Sequence, residues 1–267
     1  MTEAAAAAEA AGAQSSKRAL RRGLLSEPVA DYIAAIDALR SDGIRGLLFA
    51  TIALIGTWFV YVPLHELLHA FGCVATGGSV TRLEIAPEYG GALLATVFPF
   101  VVSGSSYAGQ LTGFDTHGND GIYLATVLAP FVLTIFVGVP LLKQVARPST
   151  PRAWRPWLLG SAALLAYAPL VSLIGDYYEA GSIIVSRAAR ALDPSLPLVR
   201  WRSDDVLKLV SQLADQGVGA RAGAIDWLGV SASLAVGFLL ALLTYRAGAL
   251  VARALWSVRS RRSRRAR

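Results

Sequence analysis

Val62-Pro-Leu-His-Glu-Leu-Leu-His-Ala-Phe71 closes a long apolar run and carries the densest polar chemistry in the chain. From Gly46 to Leu64 there is no charged residue. At about 1.5 Å per residue, a helix over that run spans most of an ~30 Å hydrocarbon core. The motif therefore falls in or at the edge of a membrane. Residues four apart share a helix face, so His65 and His69 can present two imidazoles to one Zn²⁺. Glu66, one step round, then reaches a water beside the ion as general base. The chain holds only three histidines. Two of them bracketing a glutamate, in a segment where ionisable groups are costly, read as a site; the plainer alternative is a pair of interfacial histidines beside a helix-end glutamate.

Composition agrees with the membrane reading. Of 267 residues 54% are hydrophobic and 16% charged, with a mean hydropathy of +0.50, which excludes an ordinary soluble domain. The N-terminal stretch lacks a basic region followed by an apolar core, so no cleavable signal is expected and the first apolar run should remain as the first crossing. One cysteine, Cys73, excludes an intrachain disulfide. The net charge of +7 gathers at the C-terminus, in Arg259-Ser-Arg-Arg-Ser-Arg-Arg-Ala-Arg267. After an apolar segment such a tail fixes orientation and meets anionic lipid headgroups in preference to nucleic acid.

Four uncharged runs are long enough to cross: Gly46–Leu64, Gly121–Leu142, Pro156–Gly175 and Trp227–Tyr245. A shorter run, Ala92–Val102, contains Pro99 and reads as a buried strand or a re-entrant segment. The expected fold is an all-α integral membrane protein of about four transmembrane helices, with a small β-element over Gly77–Ala92 and amphipathic surface helices. Residues 1–25 read as a mobile arm, 26–45 as an amphipathic surface helix, 46–252 as the membrane domain with its core at 46–185, and 253–267 as the basic tail. A second amphipathic helix is expected after a Ser203-Asp204-Asp205 cap. Lys143–Arg155 carries four basic residues and no acid, whereas Thr76–Asp120 carries Arg82 against Glu84, Glu88, Asp115 and Asp120. The positive-inside rule then places both termini on the cytoplasmic side of the cell membrane, and the motif toward the outer side.

Two histidines need a third protein ligand to make a catalytic zinc site. Cys73 lies about 12 Å along the helix from His65, too far to share its ion. Asp176 is favoured by depth. His65 follows Gly46, and Asp176 follows Trp157, by about 19 residues on crossings of the same direction, so both arrive at one level. Glu179, one turn on, is the alternative ligand or a carboxylate that holds a ligand histidine. His117 is a further candidate, read first as a polar loop residue. If the β-element offers an unpaired edge near the metal, an extended substrate can add to it as a strand; a plug over the site is the other reading.

These pieces resemble the intramembrane zinc metalloproteases of the site-2 protease class, and more closely a family of zincin-like membrane peptidases related to them. The resemblance rests on His65-Glu-Leu-Leu-His69 with the glycine-containing β-like stretch after it, on Tyr123-Leu-Ala-Thr-Val-Leu-Ala-Pro-Phe131, and on Ser172-Leu-Ile-Gly-Asp176. It covers roughly residues 46 to 185, and departs from the class in having Tyr177 after Asp176, where those proteases carry a glycine. It implies that His65, His69 and Asp176 hold zinc and that Glu66 activates water to hydrolyse a membrane protein or peptide. The alternative is a non-catalytic metal-binding membrane protein, a pseudoprotease or sensor, which would not require Glu66. A transporter is disfavoured by the uncharged interiors of the other crossings and the lack of a repeat.

Overall fold

The computed structural model describes residues 23–197, 199–215 and 223–265. All but the last three residues of the expected N-terminal arm lie outside that range, as do the side chains beyond residue 257. The chain is mostly helical. Four of its helical stretches are long and apolar enough to cross a membrane: Ser26–Ala75, Asp120–Val145, Arg152–Ile174 and Ala224–Ser257.

The first stretch is two helices. α1 (Ser26–Asp37) ends in a 3-10 turn at Arg40–Asp42, and Gly43, at φ +55°, turns the chain into α2 (Gly43–Ala75). That left-handed conformation suits glycine because it has no Cβ. α2 continues through Pro63 without a break, although that residue removes one ladder hydrogen bond. Burial of Tyr61, Val62 and His65 on either side of it holds the helix in place. Where α2 crosses α6 (Arg155–Val171), a Cβ on Gly160 would lie 2.0 Å from the Ala50 carbonyl oxygen, so only glycine permits this approach.

The second stretch is irregular. α4 (Asp120–Leu128) passes into a 3-10 turn at Ala129–Phe131 and a π turn at Thr134–Gly138 before α5 (Val139–Val145). Pro169 of α6 has no N–H to offer Leu165, four residues back. The freed Leu165 carbonyl accepts from Thr134 Oγ at 2.6 Å, which ties the π turn to α6.

After α6, a 3-10 turn at Ser172–Ile174 and a break at Gly175 precede α7 (Asp176–Leu192). The sequence suggests a long outer loop from Asp176 onward, but α7 is a regular helix packed along α9 (Ala224–Arg265). Small residues allow this contact, with Gly181 against the Ser233 carbonyl and Gly237 against that of Tyr177. The expected amphipathic helix is α8 (Val206–Asp215). Asp205 Oδ1 caps it by accepting from the N–H groups of Leu207 and Lys208, and Val206, Leu209 and Leu213 are buried.

Between α2 and α4 stands a three-stranded sheet in the order β2-β1-β3. β1 (Ser79–Ile85) is central. It pairs in parallel with β2 (Val101–Ser103) and antiparallel with β3 (Gly109–Asp115), with an irregularity at Arg82. Leu83 and Ile85 point inward, onto Leu67 and Ala70 of α2. The run Ala92–Val102 is not one buried strand. It begins in a short helix, α3 (Gly91–Val97), with Leu93 and Val97 exposed, and only its end joins the sheet, as β2.

α1 departs from the expected surface helix. Its apolar residues Val29, Ile33 and Ile36 are exposed, and its acidic face is buried in the bundle. Glu27 meets Lys143 Nζ at 3.1 Å, Arg253 at 3.0 Å and Arg246; Asp31 meets Lys143 and accepts from Tyr245 at 3.0 Å. Periodicity identifies the two faces of a helix but not which one turns inward. Here the basic residues on α5 and α9 draw in the acidic face. Arg246 and Arg253, which precede the tail Arg259–Arg267, are engaged in this cluster.

Candidate metal centre

α2 carries His65 and His69 on its inner face, and the break at Gly175 presents Asp176 as the first residue of α7 opposite them. His65 Nε2 and His69 Nε2 are 3.0 Å apart. Asp176 reaches His65 Nε2 at 3.2 Å through Oδ2 and His69 Nε2 at 3.5 Å through Oδ1. Ligand atoms held about 2.0–2.1 Å from a tetrahedral zinc stand roughly 3.4 Å from one another. The three donors are therefore spaced as ligands of one ion. His65, Glu66 and His69 also offer ligand atoms that lie within 4.8 Å of one another.

The other ring nitrogens are occupied. His69 Nδ1 is 2.9 Å from the Thr126 carbonyl oxygen. A carbonyl only accepts, so Nδ1 carries a hydrogen, as in the arrangement that ligating histidines favour. The sequence explains why this carbonyl is free. In a regular helix it would accept from the N–H four residues on, which belongs to Pro130 and does not exist. His65 Nδ1 is 2.8 Å from the Tyr61 hydroxyl, one turn earlier on α2, and Phe131 stands edge-on to the ring. Ser172 Oγ donates to Asp176 Oδ2 at 2.6 Å.

Glu66 lies beside the histidines, under β3. A Cβ on Gly109 would come within 2.4 Å of its Cγ, so the strand passes directly over the carboxylate. The far side of β3 has no strand partner among the described residues. Gly109, Gln110, Leu111 and Thr112 line a cleft of about 770 Å³ that reaches His65, Glu66, His69 and Asp176. Gln110 donates to Asp204 at 3.1 Å across it. Among the described residues the only lysine or arginine lining this cleft is Arg202, whose guanidinium is held by Asp120 at 2.7 and 3.0 Å. The carboxylates and imidazoles thus converge with no lysine or arginine among the described residues paired to them.

The remaining candidates lie elsewhere. Glu179 lines the cleft but accepts a short hydrogen bond from Tyr123; burial pushes its carboxyl up to about 7, against the effect of that bond. His117 is exposed and paired with Asp115 at 3.1 Å, away from the cleft. Cys73 is buried, with its sulfur facing the carbonyl oxygens of Ser79 and Asp115. Sequence reasoning misses Tyr61, Ser172, the Thr126 carbonyl and β3. Tyr61 and Ser172 each precede a candidate ligand by four residues, and Pro130 marks Thr126 by the same interval. No protein-family model matches the chain, no curated protein is similar to it, and no solved structure matches it.

Proposed function

We propose that this protein is a membrane-embedded zinc metallopeptidase that hydrolyses peptide bonds of membrane-associated or membrane-spanning substrates, with both termini on the cytoplasmic side of the cell membrane. The observation that carries the proposal is the convergence of His65 Nε2, His69 Nε2 and the Asp176 carboxylate at 3.0–3.5 Å, with Glu66 alongside. The resemblance of the motifs to site-2-type proteases points the same way.

In this reading His65, His69 and Asp176 hold the ion, and the Thr126 carbonyl, Tyr61 and Ser172 orient them. Bound zinc supplies Lewis acidity, lowering the pKa of water and polarising a peptide carbonyl. Glu66 takes the proton from the attacking water and returns it to the leaving amine. The polar cleft admits water to a site surrounded by apolar helices. The open edge of β3 receives the substrate as an added extended strand, with main-chain hydrogen bonds aligning the scissile bond over Glu66.

The test is hydrolysis of a panel of transmembrane peptides by detergent-purified protein, with metal content measured on the same samples. Wild type should carry zinc and cleave; Glu66→Gln should carry zinc and not cleave. Zinc without cleavage by either would support a non-catalytic metal protein.

A further inference from the structure

The first helix leaves a wedge in the bundle. α1 packs chiefly against α5 and α6 and not along α2, so the two diverge from the turn at Gly43. The groove between α1, the first half of α2 and α6 has a volume of about 330 Å³. Its walls are apolar, with Ile36, Leu47 and Leu54 exposed. The small residues Ala50, Gly160 and Ala163 leave space along its floor.

Length, charge and depth indicate the occupant. From Gly43 to Leu54 the groove follows α2 for about 16 Å, close to half of the ~30 Å hydrocarbon core and thus to the depth of one leaflet. At the Gly43 end the groove is lined by Arg40, which is exposed and has no ion-pair partner among the described residues. At the same end of the bundle stand Trp154 and Trp157, both exposed. Tryptophans of this kind mark the headgroup level.

We infer that this groove is a binding site for one anionic phospholipid, with an acyl chain lying along α2 and the phosphate at Arg40. The site lies at the opposite end of α2 from the metal centre and differs from the C-terminal arginine tail. It rests on the membrane reading of the helices but not on peptidase activity.

Native mass spectrometry of the detergent-purified full chain, titrated with palmitoyl-oleoyl phosphatidylglycerol or the matching phosphatidylcholine, tests the inference. One phosphatidylglycerol should bind in preference. Arg40→Gln should reduce that preference about fivefold, the attraction of one arginine near a surface. Ala163→Phe, which fills the groove, should weaken both lipids at least about tenfold, the loss of two or so buried methylenes. Thr51→Phe fills the same groove from α2 and replaces Ala163→Phe should that variant fail to fold. Equal binding of both lipids, or binding indifferent to these changes, would overturn the site and leave the lipid on the tail. A photocrosslinker at residue 51 that captures a polypeptide but no lipid would also overturn it. Carbonate extraction of the same cells separates this from the membrane reading, since protein released with the soluble fraction contradicts that reading alone.

Discussion

The two ends of the helical bundle handle buried charge in opposite ways. At the basic end, Glu27 and Asp31 are buried and face Lys143, Arg246 and Arg253, so carboxylates meet cations. At the other end, Asp176 meets Nε2 of His65 and of His69, Glu66 lies beside them, and no lysine or arginine among the described residues pairs with them. Converging acceptors in a largely apolar surrounding are costly unless a cation joins them. The first end is complete as a protein. In the function proposed above, the second takes a bound cation, and a donor set of two imidazoles and a carboxylate would suit zinc.

Substitutions at each end should therefore fail differently. The largest effect is expected from Glu66→Gln, which keeps the ligands and removes the base: hydrolysis should fall by about 10²–10⁴-fold while zinc content stays unchanged. A variant as active as wild type on a verified substrate would remove Glu66 from the mechanism. At the opposite end, Lys143→Met removes the cation shared by two buried carboxylates, Glu27 and Asp31. It should lower stability by about 3–5 kcal/mol, read as an earlier denaturation midpoint, and should leave zinc stoichiometry alone. Loss of zinc with unchanged stability would mean that the two ends are not separate devices.

Smaller effects sharpen the contrast. Pro130→Ala restores an N–H that competes with His69 for the Thr126 carbonyl, and Tyr61→Phe removes the hydroxyl at His65. Each should weaken zinc binding about 10–100-fold, the usual cost of losing a group that orients a ligand, as measured by competition with a chelator. Affinities equal to wild type would show that these contacts do not orient the rings. Glu179→Gln should have the smallest effect on zinc affinity, because Glu179 is turned onto Tyr123. A loss larger than that from Asp176→Ala would move the third ligand to Glu179.

Much of the metal end is legible in the sequence. Helical spacing places His65, Glu66 and His69 together whatever surrounds them, and equal distances along two crossings bring Asp176 to their level. What supports these residues is harder to read, because Thr126 acts through its backbone and is betrayed only by the proline four residues on. β3 is obscured for a different reason. The irregularity at Arg82 of β1 shifts the pairing, so Leu111 and Phe114 fall three apart and the period-two signature of a strand is lost. The basic end is misread because α1 reverses the usual rule: its apolar stripe turns outward, and its acids turn in.

The central claim is that His65, His69 and Asp176 together hold one metal ion. The direct test is elemental analysis of the detergent-purified full chain after equilibration with zinc and removal of free metal, alongside His65→Ala, Asp176→Ala and Lys143→Met. The account predicts about one zinc per chain in wild type and Lys143→Met, and a strong loss in the other two. Wild type that retains no stoichiometric metal, or the same metal content in all four proteins, would contradict it.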